Sequence, residues 1–78
     1  MEIKSVVGQN VKGYRVHQGY SREELCKLTR LHLNYLSAIE RGEKNVTVET
    51  LNRIAIVLGI DPFVFLIPNS HKWAKRKA

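Results

Sequence analysis

Apolar residues recur along most of this chain at spacings of three and four, the period of helices that bury one face. Ile3, Val7, Val11 and Tyr14 predict a first helix from about Ile3 or Ser5 to His17 or Gln18, stopped by Gly19. Gly13 inside it weakens that helix by about 1 kcal/mol relative to Ala. Ser21 opens a second helix over about Arg22 to Thr29. Glu24 stands three positions after Ser21, the spacing of a capping box, and Tyr20 and Leu25 are placed as a hydrophobic staple around it. Leu25, Cys26 and Leu28 or Thr29 give this helix its apolar face. The pattern breaks at Arg30-Leu31 and resumes with Leu33, Leu36 and Ile39 on a third helix, about His32 to Glu40. On it Leu36 and Ile39 turn inward, leaving Leu33, Asn34, Ser37 and Ala38 towards the other side.

After a polar loop from Arg41 to Val46, with Gly42 as C-cap, Thr47 caps a fourth helix. Glu49 lies near its positive end and Leu51, Ile54, Ala55 and Leu58 form its inner face up to Gly59. Asp61-Pro62 begins a fifth, with Asp as cap and Pro in the first turn. Phe63, Val64, Phe65, Leu66 and Ile67 follow as five apolar residues, and Pro68 closes the helix. The reading is all-α, five helices. The two short helices between Ser21 and Arg41 cannot bury their faces alone and need the others as a partner layer.

With 78 residues, 44% of them hydrophobic, the chain forms one small domain with a thin core, expected over 1–68, followed by a basic tail over 69–78. Dimerisation would help stabilise it. The net charge is +6, and four of the 13 basic residues (Lys72, Lys75, Arg76 and Lys77) sit in the tail. That tail fits a solvated end or a sequence-independent attraction to phosphate. The single Cys excludes an intrachain disulfide and fits a reducing cytoplasm. No apolar run approaches the ~18 residues of a membrane span, and no export signal is expected at the start. His17, His32 and His71 are too scattered for a metal cluster, and neither a nucleophile–base pattern nor a phosphate-cradling Gly loop is present. No enzyme, metal, cofactor or small-molecule effector is expected.

The Ser21–Arg41 stretch, together with its Ile39-Glu40-Arg41-Gly42 ending, resembles the helix-turn-helix of the Xre/Cro repressor family, which has a lambda-repressor-like fold. The resemblance covers about Val7 to Leu66. It is closest to the small controller proteins of restriction-modification systems, which have similar residues at Leu31-His32, Tyr35, Ser37, Ile39 to Glu43 and Asn45. It implies a cytoplasmic, sequence-specific transcriptional regulator that binds an inverted repeat of double-stranded DNA as a homodimer. A phage-type or host repressor and an autoregulating antitoxin share the same signature. A protein-interaction module that keeps the fold without reading DNA is the alternative from another class, and Leu33 and Ala38 on the reading face lean that way.

Under the leading reading the third helix enters the major groove and reads base edges from its N-terminal part. His32 and Asn34 can hydrogen-bond there, and Asn suits adenine. Ser37 lies on the same side. Leu33 stands where relatives carry Arg or Gln; it can pack on a thymine methyl but cannot read guanine. Tyr35 can turn inward or offer its hydroxyl to phosphate. The resemblance places phosphate contacts at Arg22, where the family usually has Gln, and at Lys44 and Asn45. It pairs Arg15 with Glu40 as a scaffold ion pair, puts Cys26 where Ala is usual, and puts Arg30 where the turn is usually Gly. Dimerisation is expected through Phe63, Phe65 and Leu66, because one face of that apolar run has nowhere to go in a monomer this small.

Overall fold

A computed structural model describes residues 2–73 of the chain. Within them lie four α-helices: α1 (Ile3–His17), α2 (Arg22–Thr29), α3 (Leu33–Glu40) and α4 (Val48–Leu58). Two short 3-10 helices follow, Pro62–Leu66 and Ser70–Trp73. The described residues hold no strand. The expected fifth α-helix is therefore a 3-10 turn. Pro62 and Pro68 leave only five residues between them, too few for the α-helical bonding pattern to become established. Asp61 adopts the extended backbone of a cap, but its side chain makes no capping bond.

The start signals work as expected elsewhere. At α2, Ser21 Oγ accepts from the Glu24 amide at 3.0 Å while Glu24 Oε1 accepts from the Ser21 amide at 2.8 Å. At α4, the Thr50 amide donates to Thr47 Oγ1 at 3.1 Å. The helices pack around one core whose fully enclosed members include Val11, Leu25, Leu36, Ile54 and Phe65. Tyr14 meets Phe65 edge-to-face with ring centroids 5.9 Å apart, a favoured aromatic geometry.

Two assignments of inner face, those of Ile3 and Ala38, are corrected, and the choice between Leu28 and Thr29 is decided. Ile3 is 50% exposed, so the buried stripe of α1 starts with Val6 and Val7 and takes in Asn10. On α2 the inward partner of Leu25 is Thr29, whose hydroxyl bonds back to the Leu25 carbonyl at 2.7 Å, while Leu28 faces solvent. Ala38 is buried rather than turned outward, because α1 crosses directly over that end of α3. Gly8 makes the crossing possible: a Cβ there would lie 2.3 Å from the Ile39 carbonyl oxygen and 3.0 Å from that of Glu40. Those are backbone atoms and cannot move aside.

The ordered domain runs past residue 68. Asn10, fully buried on α1, donates its amide to the carbonyls of Phe65 at 3.0 Å and Ile67 at 2.8 Å. Its Oδ1 accepts from the His71 backbone amide at 3.2 Å and lies 2.8 Å from His71 Nδ1. Since the Asn10 amide faces carbonyls, Oδ1 is an acceptor and His71 Nδ1 carries the proton. Tyr14 Oη donates to the Ser70 carbonyl at 2.8 Å, and buried Ser70 Oγ donates to the Val64 carbonyl. Five backbone and side-chain groups of the last turns thus close on two residues of α1. Of the basic tail, Lys72 is described and exposed; Lys75, Arg76 and Lys77 lie outside the described residues.

Gly13, which reads from sequence as a weak point, is where the His71 ring rests: a Cβ would lie 2.3 Å from its Cγ and 2.6 Å from its Cβ. Gly13→Ala should therefore lower the melting temperature. The expected drop is roughly 5–10 °C, since overpacking costs about 1–3 kcal/mol and a domain of this size shifts by about 4–8 °C per kcal/mol. In a His71→Gly background, which removes the Cβ as well as the ring, the same change should raise it, because the helix then gains about 1 kcal/mol of propensity unopposed. Stabilisation in both backgrounds, followed by circular dichroism, would show that the contact carries no weight.

Candidate nucleic-acid interface

The helix-turn-helix is built from α2, the turn Arg30–His32 and α3. Arg30 takes the left-handed conformation at φ 61°, which costs a non-Gly residue roughly 1–2 kcal/mol. The turn keeps its usual shape and the domain carries that cost. His32 is the N-cap of α3, exposed and without a side-chain capping bond. At the other end, Gly42 N–H donates to the Ile39 carbonyl and Glu43 N–H to the Ala38 carbonyl, both at 3.0 Å, closing α3 in a Schellman motif. With eight residues α3 is about 12 Å long, comparable to the ~12 Å width of a major groove.

Leu36 and Ile39 anchor α3 in the core. His32, Leu33 and Asn34 are exposed together at its N-terminus, Leu33 at 41%, and Ser37 follows on the next turn, half-buried. Tyr35 is also half-buried and packs against the core cluster, so its ring is a wedge beneath α3 as well as a carrier of a hydroxyl. Lys44 and Asn45 are exposed beyond the C-terminal end of α3. They border a cleft of about 110 Å³ with Ile3, Lys4, Val7, Val46, Leu51 and Leu66, apart from the α3 N-terminal group.

Behind this face sits one enclosed carboxylate. Glu40, with its side chain 2% exposed, receives Arg15 Nε on Oε2 at 2.7 Å and Arg15 Nη2 on Oε1 at 3.0 Å. Arg15 also gives Nη1 to the Tyr20 carbonyl at 2.9 Å. The guanidinium thus ties α1 both to the end of α3 and to the residue before the α2 cap. Arg22, expected at phosphate, donates Nε to Glu40 Oε1 at 3.0 Å while 43% of its side chain stays exposed.

Other charges nearby are local. Bonds from the Ser21 backbone and hydroxyl hold the Glu24 carboxyl below its ordinary range. Arg41 and Glu43 form an exposed bidentate pair, with both bonds at 3.1 Å, which raises the guanidinium and lowers the carboxyl. Burial, then the charges of Glu23 and Glu40, push the Cys26 thiol up, so it is protonated at neutral pH and packs beside the core. Among the described residues no three His, Cys, Asp or Glu side chains gather as metal ligands, and no helix is long and apolar enough to cross a membrane.

Phe63 and Leu66 are exposed at 57% and 44%, but Phe65 is fully enclosed and lies in the core. Its assignment to a dimer surface is corrected: in a 3-10 helix residues three apart superpose, so Phe63 and Leu66 share one face and Phe65 points to another. Ile56 and Val48 on the outer side of α4 are also exposed. Asn10, Gly8, Ser70 and His71 escaped sequence reading. Asn10 had a signal, since it falls three after Val7 and four before Tyr14 on the buried stripe.

A profile of the helix-turn-helix family matches residues 11–65. The control protein C.SmaI of Serratia marcescens is 40% identical over 58 residues, which cover 74% of this chain and 69% of that protein. The crystal structure of the hypothetical transcription factor NHTF from Neisseria superposes with a TM-score of 0.82 at 30% identity, covering 91% of this chain and 82% of the other. The restriction-modification controller protein C.Esp1396I, solved as a tetramer with its natural 35-base-pair operator, superposes at a TM-score of 0.74 with 31% identity, covering 83% and 86%.

Removing Arg15 leaves Glu40 enclosed with only the Arg22 contact. Arg15→Ala should cost about 3 kcal/mol, at the lower end of the range for breaking a buried pair, and lower the melting temperature by more than about 10 °C. Arg15→Lys should not restore it, because an ammonium cannot span both carboxylate oxygens and the Tyr20 carbonyl. Thermal unfolding decides this, and an unchanged midpoint in either variant would remove the pair from the scaffold.

Proposed function

Because the chain belongs to the helix-turn-helix family, we propose that it is a cytoplasmic, sequence-specific DNA-binding regulator of transcription, acting as a homodimer, and that it serves as the controller protein of a restriction-modification system. The observation that carries the DNA reading is the group His32, Leu33, Asn34 and Ser37 on a short α3 whose opposite side is clamped by Leu36, Ile39 and the Arg15–Glu40 pair. Such a helix presents base-reading side chains from a fixed frame. Asn34 suits adenine and His32 can bond to a base edge, while Leu33 favours a thymine methyl over guanine. Arg22, Lys44 and Asn45 supply phosphate contacts on either side, and these give affinity and salt dependence. The controller role is supported by the identity with C.SmaI and the superposition on C.Esp1396I.

The dimer surface is assigned to Phe63 and Leu66, the exposed members of the apolar run. Under this reading protein concentration sets occupancy, and dimer strength sets the threshold.

Selection of bound duplexes from a random pool at near-physiological salt should recover an inverted repeat with half-sites about 34 Å apart. Recovery of no common sequence would overturn the sequence-reading assignment. The double change Phe63→Ala with Leu66→Ala should give a folded monomer, by sedimentation, that loses at least about tenfold in affinity for that repeat. A folded monomer that still binds it normally would refute the dimer assignment. Phe65→Ala, by contrast, should cost about 3–5 kcal/mol of stability, as deletion of a core aromatic does.

A further inference from the structure

The Glu40 carboxylate accepts from two arginines that differ in what they have left to give. Arg15 spends Nε, Nη1 and Nη2 on internal acceptors and is buried. Arg22 spends only Nε, and its terminal nitrogens make no hydrogen bond to any described residue. Two guanidinium charges meet one carboxylate, so the cluster keeps one positive charge, and the exposed Arg22 carries it outward. The contrast with Arg41 is informative. Arg41 gives Nε and Nη2 to the exposed Glu43 and is locally neutralised. Arg22 is oriented without being neutralised, because Arg15 already engages both oxygens of Glu40.

The helix position itself does not favour a cation at Arg22. It is the first residue of α2, where the helix dipole disfavours a cation. Glu23 and Glu24 are the acidic groups of the same turn, but Glu24 is turned back onto Ser21. An exposed arginine otherwise samples many rotamers, and that freedom is lost when it is fixed on a ligand. The 3.0 Å bond from Nε to a carboxylate that is itself locked removes much of that freedom before any ligand arrives.

We infer that Glu40 is a positioning residue for DNA binding: it holds the Arg22 guanidinium in the orientation that grips phosphate and ties that grip to the register of α3, on which Glu40 itself sits. This rests on the DNA-binding reading above. The reach of the carboxylate is two-fold. Through Arg15 it holds the helices together, and through Arg22 it aligns the backbone anchor with the reading helix.

The test is a double-mutant cycle on binding to the duplex recovered by selection, measured across a salt series at a temperature where circular dichroism shows each variant folded. Arg22→Gln should weaken binding about tenfold, as expected for one lost charge-assisted contact, and lower the salt slope by about one. Glu40→Gln should weaken binding severalfold more in the wild-type background than once Arg22 is Gln, where only the loss that passes through Arg15 remains. An equal loss in both backgrounds would make Glu40 purely structural and overturn the inference, as would normal binding by Arg22→Gln. Arg22→Lys covers the case in which Glu40→Gln does not fold. It keeps the charge but cannot hold Glu40 through one nitrogen and present others, so it should keep the salt slope and lose affinity severalfold. Wild-type affinity in Arg22→Lys would show that charge alone matters and sink the positioning role. If the wild-type protein binds no duplex at any salt, the DNA-binding reading itself falls, a result distinct from any pattern among the variants.

Discussion

An enclosed carboxylate at the end of α3 imposes the main constraint on this small domain. A charge removed from water has to be met in full, and Glu40 is met by Arg15 from α1 and Arg22 from α2. Both oxygens are engaged, and three helices are brought to one point. Packing alone would let α3 rotate or slide on a core this thin. The paired bonds from Arg15 admit one geometry, and Gly8 lets α1 approach α3 closely enough to make it. Orientation of the reading side chains follows from that junction rather than from anything on the exposed face.

A second constraint acts from the opposite end of the chain. Asn10 stands in the buried stripe of α1, and its amide donates to the carbonyls of Phe65 and Ile67 at the end of the first 3-10 turn. Both carbonyls lie in the last turn before Pro68, where a helix leaves its carbonyls without partners of its own, and a side chain from α1 takes over the role. Phe65 is thereby held inside while Phe63 and Leu66 remain outside.

These two features mark where sequence reasoning succeeds and where it stops. Local rules are visible in the residues themselves. The Ser21–Glu24 box, the Thr47 cap, the period of Leu36 and Ile39, and the glycines after α1, α3 and α4 all describe neighbours in the chain. The Arg15–Glu40 bond was anticipated only through resemblance, because nothing local joins residues 25 positions apart. Three-residue periodicity could not tell Phe65 from Leu66 once the helix type changed from α to 3-10. The role of Gly13 was invisible because His71, which rests on it, is far away in sequence and looked like part of a solvated tail. The phosphate role of Arg22 comes from the resemblance; its inward bond depends on Glu40 having room for a second donor.

The Asn10 knot also has a bearing on how the protein is made. Its partners lie 54–61 residues further along the chain, so contacts that seal the first helix cannot form until nearly all of the described segment has left the ribosome. Chain growth at about 5–20 residues per second is slow beside helix formation, which takes microseconds or less. During synthesis the Asn10 amide is therefore met by water and the apolar stripe of α1 stays open. Folding is completed by the last turns to emerge, and a truncated translation product would present the helices without the junction that makes them a domain.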